Sequence, residues 1–553
     1  MLTSESSSPY PEYNHKLQKD NVFLDTPEVT EPIWLEPKRG SIPRWINGIM
    51  YRTGPAKYKL DNDTVITHAL DGMPFAHRFE FKDGKVRYNS RHIAASVEKA
   101  LLEKTQVPLF VGYTPDKDSW MWKAPKMLEP PASDPAAVLA GETISAVSPV
   151  VPIGSGSTGE DGDPLVVVAR SSGAYQQHIH SDTLEPKRAF KYGELDPQLE
   201  GMMSSSHAKV DPITREVVNF MAHPATGITV FSHQPKTSTT TILGTITHRK
   251  IPNTTTADPV PIEPSFIHSF WLSPTYVIIP EIPLRLKNGG MDAMQTGSFA
   301  TGLAWDQGSP AYLHIVSRVE KQHVASVEVR PGFFMFHDVN AYEDQSNLVL
   351  DAPIFDDADI LMHTHMFGSN GIQSTASSLP QQEEGENKMN GMTYPPRQGN
   401  IPVCRFCRFW IDTRTWQLKE HKVLADHFEF PAVARPMQSY RFAWGASGIT
   451  PSSSRGGVQK FPQLGLVKVD IEQGTTTRFD KQHWACQEPI LVSKPGSDQE
   501  DDGVLLTQVN AFDANGVENL LVIIDAKTMK ELAVCVIGDF AATTLHGSYI
   551  DLS

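Results

Sequence analysis

The sequence predicts an all-β protein built from many short, repeated sheets. Three observations carry this. Beyond residue 30 the chain is a succession of short apolar runs, each too short for a buried helix and rich in β-branched, aliphatic or aromatic residues. Examples are Leu165-Val166-Val167-Val168-Ala169, Tyr276-Val277-Ile278-Ile279, Ala311-Tyr312-Leu313-His314-Ile315-Val316 and Asn519-Leu520-Leu521-Val522-Ile523-Ile524. Second, 42 prolines and 38 glycines punctuate the runs, which suits many turns and few long helices. Third, a single modest stretch, Ala94–Thr105, reads as a helix. A propeller accommodates so many strands without long exposed sheet edges.

The same pattern argues for one unit. A chain of 553 residues would ordinarily divide into three or four domains, but repeat-built β architectures absorb such a length whole. Polar loops stand at Gly154–Asp163, Ser377–Gly391 and Pro451–Gly457, and strand patterns resume at once beyond each. None reads as a linker. Residues 1–30 are polar and Pro/Ser-rich and are expected to form a disordered N-terminal segment, leaving 31–553 as a single propeller domain.

Charge and composition exclude several classes. The net charge is −15, and no cluster of Lys and Arg offers a polyanion the counterion release that binding requires, so nucleic acid is not an expected partner. No basic stretch followed by an apolar one marks the first thirty residues as a signal peptide, and no window approaches a membrane span, so a cytoplasmic protein is expected. Four cysteines do not make a disulfide scaffold. Cys404 and Cys407 form a C-x-x-C, but Cys486 and Cys535 supply no second one for a zinc site. Val403–Trp410 reads as a strand, and interior thiols are the plain reading.

Twenty histidines invite metal hypotheses. The pairs His178/His180 and His363/His365 would each place two rings on one face of a strand, a spacing common in cupin-type metal sites, but an H-x-H alone in a β-rich protein reads as surface or turn residues rather than ligands. Four others sit in more telling surroundings. His207 lies just before a strand, in Ser205-Ser206-His207-Ala208-Lys209-Val210-Asp211-Pro212. His268 lies in Phe266-Ile267-His268-Ser269-Phe270-Trp271 and His337 in Phe333-Phe334-Met335-Phe336-His337-Asp338-Val339-Asn340. His546 lies in Leu545-His546-Gly547-Ser548-Tyr549. An imidazole within an aromatic run needs a partner to justify burial. The separations of 61, 69 and 209 residues match no local metal motif. A shared site therefore needs a fold that brings distant strands to one axis, as the innermost strands of a propeller do.

These four segments resemble the four iron-ligand motifs of the carotenoid cleavage oxygenase family. The resemblance extends over nearly the whole chain. Gly40-Ser41-Ile42-Pro43-Arg44-Trp45-Ile46-Asn47-Gly48 and Arg52-Thr53-Gly54-Pro55 are similar to its opening signature, and His68-Ala69-Leu70-Asp71-Gly72-Met73 with His77-Arg78-Phe79 to its next block. Phe428-Glu429-Phe430-Pro431, Glu488-Pro489-Ile490 and Glu500-Asp501-Asp502-Gly503-Val504 resemble later ones.

The resemblance implies a seven-bladed β-propeller with a helical and loop dome over a central site. It also implies one non-haem Fe(II) per chain, held by His207, His268, His337 and His546. Four neutral imidazoles suit Fe(II) and leave positions open for dioxygen. In the family, three of the four histidines donate their other N–H to a Glu, which fixes the ring and raises its basicity. Glu429 and Glu488 match two of those positions. Counting back from Ser181-Asp182-Thr183-Leu184-Glu185 puts Ser172 at the third, where a hydroxyl accepts a hydrogen bond but supplies no charge. By family correspondence His268 loses its carboxylate, and altered metal affinity or oxygen reactivity is expected.

The implied reaction is cleavage by O2 of a carbon–carbon double bond of a carotenoid or apocarotenoid to two carbonyl products. The alternatives are cleavage of the central alkene of a stilbene or phenylpropenoid, a catalytically degenerate propeller that binds lipid or protein, and a cupin-like enzyme using an H-x-H pair. The stilbene branch holds its phenol with a Lys beside the first Glu, and Arg170-Ser171-Ser172 has none, which favours an apolar polyene. Such a substrate comes from a membrane or lipid droplet. Leu101-Leu102 with Val107-Pro108-Leu109-Phe110-Val111 reads either as a docking patch or as packing under the dome. Phe270, Trp271, Phe334 and Trp444 are candidates for lining a substrate tunnel.

Overall fold

The computed structural model describes residues 25–552, apart from 62–65, 67–69, 104–150, 153–165, 171, 174, 224–225, 253–258, 291, 293–301, 362–386, 390–391, 395–402, 449–463, 483 and 513–515. The architecture is nearly all β. The four apolar runs singled out above become the strands Val166–Ala169, Tyr276–Glu281, Ala311–Ser317 and Val517–Asp525. Their β-branched side chains fit a pleated, half-buried surface, which is what strand preference measures. One α-helix is described, Ala95–Leu102, inside the span expected for it. No described helix is long and apolar enough to cross a membrane.

The strands pair almost wholly antiparallel, in sheets whose members follow one another along the chain. One sheet runs Val151–Pro152, Val166–Ala169, Tyr175–His180, Pro186–Lys191. The next is built on Val217–His223, Gly227–Gln234 and Thr239–Ile246, with Met203–Ser204 and Lys209–Val210 both against Val217–His223. Trp271–Leu272, Tyr276–Glu281, Ala311–Ser317 and Gln322–Val329 follow, then Asn340–Asp344, Asn347–Ile354, Arg405–Asp412 and Gln417–Asp426. A ten-stranded sheet spans Glu429–Val433 to Glu531–Gly538 and takes in Pro37–Gly40 from the start of the chain. The sheet of Gly48–Lys57, Met73–Lys82 and Lys85–His92 in turn takes in His546–Asp551 from its end.

Neighbouring sheets meet through apolar layers. Trp271, Leu313 and Val327 pack with Leu348, Cys407 and Phe409. Phe220 and Val230 pack with Phe270 and Ile279, and Tyr342 and Phe406 with Tyr440 and Val467. The first and last parts of the chain share one layer, in which Met50, Phe79 and Tyr88 meet Leu506, Leu521 and Cys535. Burial of this much apolar surface is the main favourable term holding the sheets together.

Several expectations are refined. Strand Val29–Leu35 starts within the segment expected to be disordered, because it pairs with Lys85–His92, and just before it Asp25 accepts the Tyr58 peptide N–H (2.6 Å). Leu101 is buried and Leu102 packs beside it against Tyr58, Leu60, Ile66 and Met73, so this leucine pair faces inward. Val107–Val111, His68 and the His363/His365 pair lie outside the described residues, as do Gly154–Asp163, Pro451–Gly457 and most of Ser377–Gly391.

Candidate metal centre

A single local rule places the site. His207 stands two residues before strand Lys209–Val210, His268 three before Trp271–Leu272 and His337 three before Asn340–Asp344, while His546 opens His546–Asp551. Each is thus at the head of a short strand on an edge of its own sheet. Side chains there are free of the strict alternation inside a strand and can turn toward a common point.

They do converge. One ring nitrogen from each of His207, His268, His337 and His546 lies within 4.8 Å of the others. The Nε2 atoms of His207 and His268 are 2.9 Å apart, and those of His337 and His546 3.2 Å. Two nitrogens bound to one ion at about 2.1 Å and at right angles to each other lie about 3 Å apart, so this spacing fits a shared metal. Without a cation, four inward lone pairs at this distance would repel. Burial, followed by the repulsion of neighbouring imidazoliums, holds His207 and His268 well below the usual histidine range, and burial lowers His546 as well. Neutral imidazole is the form that binds a metal. His207, His337 and His546 are buried, and His268 is half-buried as a residue.

The outward nitrogens are held by carboxylates on two of the four rings. His337 Nδ1 lies 2.6 Å from Glu429 Oε2, and His546 Nδ1 lies 3.0 Å from Glu488 Oε1. With Nδ1 protonated in each, the Nε2 lone pair points inward. Glu429 also accepts the N–H of Phe430 at 2.5 Å, and Phe430 sits at φ +52°, an unusual conformation for a residue with a bulky side chain. Gly445 lets the paired strand approach: a Cβ there would stand 2.7 Å from the Glu429 carbonyl oxygen. Arg52, fully buried, donates to the Glu488 carbonyl oxygen (2.8 Å) and to Thr544 Oγ1 (2.8 Å).

His207 and His268 have no carboxylate on a ring nitrogen among the described residues. Ser172 is half-buried, and its carbonyl oxygen accepts the Ser204 N–H (3.1 Å), which places it beside the segment carrying His207. Its hydroxyl makes no hydrogen bond to His268. Instead, Ser205 Oγ ties the His268 segment down by donating to the His268 carbonyl oxygen (2.7 Å) while accepting the His207 N–H (2.9 Å).

The aromatic residues around the cluster differ from those expected. Phe270, Trp271, Phe334 and Trp444 are all fully buried, and the two indole N–H groups donate to the carbonyl oxygens of Asp351 and Ala526. The rings facing the histidines are Phe266, stacked on His268 at 6.1 Å, Phe336, edge-on to His268 at 5.4 Å, and Phe430, 5.1 Å from His337 and 5.4 Å from His546. All three are only half-buried. Together the three rings give the cluster an apolar wall. The sequence signal for Phe266 and Phe336 was their place next to, rather than within, the edge strands.

The other histidine pair has a local role. His180 Nδ1 accepts the N–H groups of Asp182 and Thr183 (3.1 and 3.2 Å) and so closes a turn, and His178 packs on Phe190 at 4.6 Å.

Comparison with known proteins agrees with this geometry. Residues 23–551 match the family model described as retinal pigment epithelial membrane protein. The human beta,beta-carotene 15,15'-dioxygenase is 24% identical over 558 residues, covering 93% of this chain and 92% of that protein. The rice chloroplastic carotenoid cleavage dioxygenase 8 homolog B is 25% identical over 507 residues, covering 89% and 78%. Among solved structures, a cobalt-substituted Synechocystis apocarotenoid oxygenase superposes with a TM-score of 0.71 at 21% identity, covering 98% of this chain and 99% of that one.

Proposed function

Since the chain belongs to the carotenoid cleavage oxygenase family, we propose that it uses one Fe(II), held by His207, His268, His337 and His546, to cleave a carbon–carbon double bond of a carotenoid or apocarotenoid with O2, giving two carbonyl products. The chain is an enzyme of the carotenoid-oxygenase type. The observation that carries the finer reading is the four-nitrogen cluster with no carboxylate among the converging atoms. Iron(II) in an all-imidazole site supplies redox activation of dioxygen.

The protein's own contribution is binding and orientation. Glu429 and Glu488 retain the Nδ1 protons of His337 and His546 and thereby aim both rings. The wall of Phe266, Phe336 and Phe430 offers an apolar surface to a polyene and excludes water from that side of the cluster. Bond choice then follows from how deep the chain of the substrate runs along that wall. No side chain is required as a general base.

The architecture reads as a seven-bladed propeller forming one catalytic domain over residues 31–553. Dividing the ten-stranded sheet at its short central strand Trp484–Cys486 gives seven sheets of four or more strands, beside three two-stranded ones, and the apolar layer shared by Met50 and Leu521 supports a ring joined at its ends.

Aerobic incubation of Fe(II)-loaded protein with β-carotene or an apocarotenal, and in parallel with resveratrol, tests the reading by product masses. Shortened polyene aldehydes are expected. Hydroxybenzaldehydes from resveratrol alone, or no product from iron-loaded protein, would overturn it.

A further inference from the structure

Three of the four histidines are followed at once by residues that meet one another. Lys209 lies two positions after His207, Ser269 one after His268 and Asp338 one after His337. The Asp338 carboxylate accepts from both Lys209 Nζ and Ser269 Oγ, and the Asp338 peptide N–H donates back to Ser269 Oγ at 3.2 Å. Ser269 is buried, and the side chains of Asp338 and Lys209 are 9% and 24% exposed. Lys209 also stands over the ring of Phe270, 5.9 Å from its centroid. The three partners lie at the heads of strands of three successive sheets, and no hydrogen bond joins their side chains to an imidazole of the cluster, although the Lys209 charge lowers His207 and His268. Charge-assisted hydrogen bonds of this kind are short, directional and little screened when enclosed.

We propose that Lys209, Asp338 and Ser269 form a positioning clasp, which locks the heads of three edge strands together and thereby sets the spacing of His207, His268 and His337. This inference rests on the four-histidine reading of the metal centre. Its physical basis is leverage. Among the described residues the cluster has carboxylate support at His337 and His546 only, so the position of His207 and His268 rests on their backbones. The clasp is the side-chain connection that ties both of those backbones to the segment of His337.

The test uses Co(II) as probe on the full chain, reading chelator-competition affinity and the visible ligand-field spectrum of folded protein. Wild type, Ser269→Ala, Asp338→Asn, Lys209→Met and the double variant Lys209→Met/Asp338→Asn are compared, with His546→Ala as the variant lacking a ligand. Asp338→Asn and Lys209→Met should each lose roughly tenfold or more in affinity, as outer residues of metal sites do, with a shifted spectrum. Ser269→Ala should lose less, and Asp338→Glu or Lys209→Arg should restore part of the loss. The double variant should lose less than the product of the single losses, because neither charge is left unpaired. Single variants that bind Co(II) with wild-type affinity and spectrum overturn the clasp alone. Wild-type protein that binds no better than His546→Ala overturns the metal reading, and the clasp with it.

Discussion

Glu488 accepts the Nδ1 proton of His546 on one carboxylate oxygen, at 3.0 Å, and the peptide N–H of Gly547 on the other, at 2.7 Å. The two residues are 58 positions apart, and the double contact fixes both the ring and the backbone that carries it. Replacing Glu488 by Gln presents an NH2 group to one of the two donors. Metal affinity should fall about 10–100-fold while the fold persists. Chelator competition measures this, and an unchanged affinity would show that the pair is merely structural.

His546 is both a predicted ligand and the first residue of a strand in register with Gly48–Lys57, opposite Thr53. His546→Ala removes the imidazole alone, whereas deleting His546–Ser553 removes the strand too. Both variants should be metal-poor. Only the deletion should also lose about 3 kcal/mol or more of stability, at about 1 kcal/mol per ladder hydrogen bond. Urea unfolding of the metal-free proteins separates the two, and equal stabilities would contradict the expectation.

Acid should weaken the fold well above the range where carboxylates titrate. His77 is fully enclosed, with Nδ1 2.9 Å from the Tyr88 hydroxyl, and burial pushes it down to about 3. His323 is also pushed down to about 3, first by burial and then by His314. Both therefore protonate more readily in the unfolded chain, near pH 6.5, than in the folded one. Their contribution is complete above that value and is lost as pH falls toward 3, at up to roughly 1.4 kcal/mol per pH unit for each ring. His323→Asn should flatten the slope of unfolding free energy between pH 6.5 and 5; an unaltered slope would count against it.

All four cysteines should be inert in the folded protein. Each is buried, and burial pushes Cys407 and Cys486 up to about 12, Cys535 up to about 11 and Cys404 well above its ordinary value. The thiolate is the reactive form. A thiol reagent should label the native chain only as fast as it opens and should titrate four groups in denaturant. Rapid native labelling would refute this.

The sheets and the four histidines were legible because both rest on strong local signals. Short β-branched runs between turn residues make strands, and His268 and His337 stand inside aromatic runs where an imidazole has little other reason to be. The facing rings were not legible in the same way. In Phe333-Phe334-Met335-Phe336-His337 the alternation of a regular strand gives no guide, since this segment precedes the strand, and Phe336 rather than Phe334 faces the site. Phe430 takes φ +52°, a conformation that no propensity for phenylalanine records. The link among Lys209, Ser269 and Asp338 joins residues up to 129 positions apart, each of which alone is an ordinary polar residue near a strand.

The pairing of the two chain ends also bears on how the protein comes into being. Pro37–Gly40 and Gly48–Lys57 wait for Glu531–Gly538 and His546–Asp551, which are synthesised long after them. Through most of synthesis the early strands thus lack their neighbours, and the metal centre lacks its fourth histidine. A nascent chain completes its set of four histidines only after residue 546 is made, so earlier termination should yield a metal-poor product exposed to chaperones and proteases. Loading with metal becomes, in effect, a readout that translation has run past residue 546.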